Sequence, residues 1–170
     1  MRRTNELVLA ALALIVLISA SQTEGAGREK EMLANKGENT NHPKAYCAGD
    51  WPFVAYENGV VRDTGTGLEW VVGPDRDTTW DEAKSWVERL SVDGGGWRMP
   101  TRKELRTLYR KGEGKRNMTS LLETTGGFVW TDEIVGSNYA WGFCYEIGDT
   151  FWPLHTFSNT ARGFAVRIAR

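Results

Sequence analysis

Between Arg98 and Arg116 the chain sets eight cations, Arg98, Arg102, Lys103, Arg106, Arg110, Lys111, Lys115 and Arg116, against two carboxylates, Glu104 and Glu113. Guanidinium groups present forked donors to planar or tetrahedral oxyanions, so such a ridge has the chemistry to attract sulfate, carboxylate or phosphate. At 100° per residue, Arg102, Lys103, Arg106 and Arg110 fall on one arc of a helix, and Leu105, Leu108 and Tyr109 on the adjacent arc. The apolar arc is expected to pack and the cationic arc to face water. A solvated helix face laced with ion pairs has the same pattern, and the residues leave both readings open. Arg98, fixed between Trp97 and Pro100, is expected to be partly buried against Glu104, which makes it architectural.

Eight tryptophans are the second chemical signal. Most are expected in the core, but flat sugar faces stack on exposed indoles, and Trp141 and Trp152 near strand ends are the candidates for that. With Arg102, Lys103, Arg106 and Arg110 they make up the candidate ligand-binding set. The two cysteines, Cys47 and Cys144, either pair as one disulfide in an oxidising compartment or stay as buried thiols. Neither lies in a CxxC or at ligand spacing from His42 or His155, so no metal is expected. No Ser-His-Asp or phosphate-loop pattern occurs, no catalytic residue is assigned, and no cofactor is expected.

These side chains need positioning elements. Arg2 and Arg3 precede an apolar run from Leu7 to Ala20 that ends in small residues, the pattern of a cleaved secretory signal peptide over 1–20. The run is short for a bilayer, so no membrane span is expected after cleavage. Residues 21–45 are rich in Glu, Lys, Asn and Gly and read as a disordered linker. One domain is expected over 46–170. It starts with FVAYENGVVRD, an N-terminal hairpin about Asn58-Gly59, and continues into the strand LEWVV. Thr79 with Glu82, and Thr101 with Glu104, are capping boxes that open two helices. Ala83, Trp86, Val87 and Leu90 lie on one face of the first. FVWTDEIV, YAWGFCYEIG, TFWPLHT and FAVRIAR read as four strands.

The segments VVRDTGTGLEWVV, TWDEAKSWVERL, GGWRMPTRKELRTLY and FAVRIAR resemble the Lcl C-terminal domain family, a bacterial family of secreted and surface proteins catalogued as a domain of unknown function. The resemblance implies an α+β, C-type lectin-like fold: two helices packed on a twisted antiparallel sheet, preceded by the hairpin. It also implies a secreted or periplasmic, non-catalytic module for binding or adhesion. Trp70, Trp80, Trp97, Arg98, Pro100, Glu104, Leu105 and Arg167 match the family pattern as framework. Calcium-dependent sugar-binding lectins carry EPN, QPD or WND triplets, and these are missing, so calcium is not expected.

An anionic polysaccharide met by the basic helix face is the first expectation for a partner. A scaffold domain that binds a cell-surface protein without a small ligand is the alternative. A cysteine-dependent enzyme related to formylglycine-generating oxidases is the third reading, and neither cysteine has the adjacent basic residue that would activate a thiolate. Export and the net charge of −1 exclude a nucleic-acid partner. Oligomeric state is not legible.

Overall fold

The computed structural model describes residues 45–46 and 51–170. The leader at 1–20, almost all of the linker at 21–45, His42 and Cys47 lie outside the described residues.

Five strands form one sheet in the order β1-β2-β3-β4-β9, namely Ala45–Tyr46, Phe53–Tyr56, Val61–Asp63, Leu68–Val72 and Phe164–Ile168. Every neighbouring pair in it is antiparallel. A second sheet has the order β7-β6-β5-β8, from Asp149–Phe151, Tyr139–Cys144, Phe128–Val135 and Ala161–Arg162. Its β5 and β8 run parallel. The fold is α+β, but the single sheet expected from the sequence is two. The reason is the last strand: FAVRIAR pairs along β4, with Trp70 opposite Val166, instead of beside the strand that precedes it. TFWPLHT is a strand only at its start. Pro153 has no N–H for a ladder, and its carbonyl instead accepts from Ala140 N–H at 3.2 Å.

Helix α1, Trp80–Glu88, begins as its sequence dictates. The Thr79 hydroxyl accepts from Glu82 N–H, and the Glu82 carboxylate accepts from Thr79 N–H. It buries Trp80, Ala83 and Val87, while Trp86 and Leu90 are only half-buried. Its close seating beside the ends of β4 and β9 favours glycine: a Cβ on Gly163 would stand 3.0 Å from Ala83 Cβ and one on Gly73 3.2 Å from the Trp86 ring, while the two glycines themselves approach so closely that a Cβ on Gly73 would stand 2.5 Å from the Gly163 carbonyl oxygen. Trp80 and Trp130 then lock the helix to the second sheet, because Trp80 Nε1–H donates to Thr131 O and Trp130 Nε1–H to Thr78 O, each at 2.8 Å.

Helix α2, Arg102–Leu108, has the second capping box, between Thr101 and Glu104. Leu105 and Leu108 are fully buried with Trp70, Phe143, Tyr145 and Phe164. The buried Tyr145 hydroxyl donates to Leu105 O at 2.9 Å, and burial pushes its pKa well above the ordinary tyrosine value. The helix is shorter than its apolar pattern predicts. Tyr109 turns to an extended backbone with φ −73° and ψ 121°, and Arg110 N–H donates to Asn117 O at 2.6 Å. Arg110 therefore leaves the arc of Arg102 and Arg106.

Of the framework residues, Trp70, Trp80, Trp97, Pro100 and Arg167 are buried. Arg167 is 3% exposed and joins three elements: Nε donates to Glu69 at 2.8 Å, and one terminal nitrogen to the carbonyls of Asp93 and Gly95 at 2.8 and 2.7 Å. The other terminal nitrogen pairs with the Asp93 carboxylate. Arg98 is partly buried against Glu104, with 45% of its side chain exposed.

Candidate ligand-binding groove

The groove is built on the start of α2. Arg98 forks onto Glu104 with contacts of 2.9 and 2.5 Å, and Glu104 also accepts from the backbone and hydroxyl of Thr101, each at 2.9 Å. The Arg98 hydrogen bonds, with the Thr101 bonds behind them, hold the Glu104 pKa down at about 2 against the cost of burial. One acidic side chain thus serves as both helix cap and anchor for the segment leading into the helix. Asp132 N–H donates to Pro100 O at 3.0 Å and ties that segment to β5.

Beside this anchor, Glu133 of β5 caps the helix from outside. It accepts from Arg102 N–H at 2.9 Å and from Arg102 Nε at 2.7 Å. Hydrogen bonding from the Arg102 side chain lowers the Glu133 pKa. The Arg102 guanidinium is 3.9 Å from the centre of the Trp141 ring, and Trp152 meets Trp141 edge-on at 4.4 Å and 61°. A flat guanidinium over an indole, braced by a carboxylate, is a rigid arrangement. Arg106 is looser, 3.8 Å from Asp149 with both side chains largely exposed. Lys103 is exposed and makes no ion pair among the described residues.

Arg102, Lys103, Arg106, Glu133 and Thr150 line a groove of about 330 Å³. Three of the six predicted ligand-binding residues, Arg102, Lys103 and Arg106, line it; Trp141 stacks on Arg102, and Trp152, 51% exposed, meets Trp141, but neither indole is part of the lining. Arg110 stands elsewhere. It is 3.6 Å from Glu113, lies 5.2 Å from the Phe53 ring centre, and borders a different cavity with Trp51. The two local carboxylates, Glu133 and Asp149, went unnoticed in the sequence because each neutralises an arginine more than thirty positions away. The only hint was an acidic pair in the midst of the apolar run FVWTDEIV.

Cys144 is half-buried on β6 and forms no disulfide among the described residues; Cys47, the other half of the possible pair, lies outside them. His155 stacks on Trp80 at 4.6 Å, away from the groove lining. No group of three or more potential metal ligands occurs among the described residues. No helix among them is long and apolar enough to cross a membrane.

Residues 59–167 match the family model of the Lcl C-terminal domain. No curated protein matches the chain.

Proposed function

The chain belongs to the Lcl C-terminal domain family, and on that premise we propose an exported, non-catalytic binding or adhesion module with a lectin-like role, secreted or periplasmic, that takes an anionic polysaccharide in the groove beside α2. The observation that carries this reading is a groove lined by Arg102, Lys103 and Arg106, whose Arg102 rests on the neighbouring Trp141–Trp152 pair. A sugar ring has an apolar face that suits an exposed indole and hydroxyl or acidic edges that suit guanidinium and ammonium. The cations have different tasks. Arg102 is tied to Glu133 and Trp141 and shapes the platform; Lys103 has no ion pair among the described residues and Arg106 is held only loosely by the exposed Asp149, so these two offer charge to a ligand.

Retention on immobilised heparin across a salt gradient tests this. The chain is expected to bind at low salt and elute earlier as Lys103→Ser and Arg106→Ser are introduced, since exposed charge is screened over roughly 8–10 Å at moderate ionic strength. Trp152→Ala is expected to weaken retention with little change in salt dependence. Passage of the unaltered chain straight through the column at low salt overturns the charged reading.

Ile134, Tyr139 and Leu154 favour the scaffold reading, because they stand 57%, 43% and 47% exposed around the outer end of β5 and β6. If Ile134→Ser abolishes capture of a cell-surface protein while heparin retention persists, the apolar end is the interface.

A further inference from the structure

Strand periodicity gives β5 two faces. Glu133 points to the groove beside α2, whereas its neighbours Asp132 and Ile134 line a separate cavity of about 320 Å³ on the α1 side. The walls of that cavity are Trp80, Trp97, Val87 and Met99. Both indole N–H groups are already committed, Trp80 to Thr131 O and Trp97 to Val92 O at 2.8 Å each, so the walls present carbon and π surface without a donor.

Charge sits at the rim. Arg98 is occupied by Glu104 and Met99 O. Asp132 has no ion pair among the described residues, and neither has Glu88 on α1. Desolvation, reinforced by the negative charges of Glu133 and Glu104 and opposed by Arg98, raises the Asp132 pKa. Lys84 brings a single ammonium to the cavity, 5.1 Å from the centre of the Trp80 ring. That contact shows the ring face in use as a cation seat by the protein's own side chain. An apolar, π-rich chamber with two carboxylates at its rim complements a cation that carries an apolar group.

We propose that this cavity is a second binding site, distinct from the groove beside α2, for a small organic ammonium whose apolar part enters between Trp80 and Trp97 while its charge meets Asp132 and Glu88. Lys84 competes for the same seat.

The test uses three probes with one apolar group and different charge: phenethylammonium, 2-phenylethanol and phenylacetate. Each is titrated into the purified full-length chain, followed by isothermal calorimetry and by the indole N–H resonances of Trp80 and Trp97. Phenethylammonium is expected to move both resonances and to bind about fivefold more tightly than 2-phenylethanol, the equivalent of one partly screened ion pair, with phenylacetate weakest. The double variant Asp132→Asn, Glu88→Gln is expected to remove that preference and leave 2-phenylethanol binding unchanged. Lys84→Met, a change on an exposed helix position, is expected to strengthen phenethylammonium binding. Equal affinity for the three probes overturns the proposal, as does weaker ammonium binding in Lys84→Met or an ammonium preference that survives the double variant Asp132→Asn, Glu88→Gln. So does the lack of any resonance shift at millimolar probe. Heparin retention is read in parallel: the groove beside α2 is left intact by these variants, so failure here leaves the polysaccharide reading standing.

Discussion

Arg167 and Arg102 each lie over an indole and pair with a carboxylate, and they differ chiefly in their access to water. Arg167 stands 4.3 Å from the Trp97 ring centre, pairs with Glu69 and Asp93, and is 3% exposed. Arg102 stands 3.9 Å from the Trp141 ring centre, pairs with Glu133, and keeps 38% of its side chain exposed. The shared motif has two different consequences. In the interior every donor of Arg167 must be answered, because an unpaired buried charge is costly, so two carboxylates and two carbonyls surround it. At the surface water answers what Glu133 does not, and the same geometry leaves a polar face that a ligand can reach. The first arrangement fixes β9 to β4 and the glycine loop before Trp97; the second fixes a platform.

The largest expected effect breaks the interior member. Arg167→Met leaves Glu69, 1% exposed, without its partner. Loss of one side of a buried pair costs about 3–5 kcal/mol, expected as a lower denaturant midpoint in equilibrium unfolding. The double variant Arg167→Met, Glu69→Met is expected to regain much of the loss, because the desolvated charge is removed with its partner. If the single variant unfolds at the midpoint of the parent chain, Arg167 does not hold the two strands together.

A middle-sized effect lies between the two extremes, at Arg98 and Glu104. Glu104 is held at about 2, below its ordinary 4.5, by hydrogen bonds from Arg98 and Thr101. A carboxylate with a depressed folded pKa contributes stability that is present above its unfolded value and lost as pH falls through the window from 4.5 to about 2. Asp132, whose pKa is raised above its ordinary 3.8 by desolvation, has the opposite sign and gains stability as pH falls towards 3.8. Glu104→Gln is therefore expected to lower stability at neutral pH by roughly 1.5–3 kcal/mol, the scale of charged hydrogen bonds, and to flatten the acid limb of a plot of melting temperature against pH. An unchanged acid limb removes Glu104 from that role.

What was legible in the sequence follows the same division between local and distant causes. Both helix starts could be read because a capping box is complete within four residues, Thr79 to Glu82 and Thr101 to Glu104. The strand FAVRIAR was legible as a strand, but its place beside LEWVV was not, since pairing across nearly a hundred residues leaves no local trace. The helical arc of Arg102, Lys103 and Arg106 was visible from periodicity. Periodicity alone carried that arc on to Arg110, and it missed the turn of Tyr109 out of the helix because Asn117, which holds Arg110 by its backbone carbonyl, comes later in the chain. The partners of the cations were hidden for the same reason: Glu133 and Asp149 reach Arg102 and Arg106 only after β5, β6 and β7 are assembled.

The smallest expected effect on stability sharpens the comparison most. Glu133→Gln keeps the side-chain shape and a hydrogen-bond acceptor for Arg102 N–H but removes the charge that offsets the guanidinium. A partly exposed pair contributes about 1 kcal/mol or less, and a charge at a helix start adds a few tenths, so the melting temperature is expected to move little. Arg102 stays over Trp141, because the stacking contact does not involve Glu133. The positive potential of the groove rises, and elution from heparin is expected to shift to higher salt. A stability loss as large as that of Arg167→Met would make Arg102 a framework residue like its interior counterpart. Earlier elution from heparin would make Glu133 part of the ligand contact instead of a brake on it.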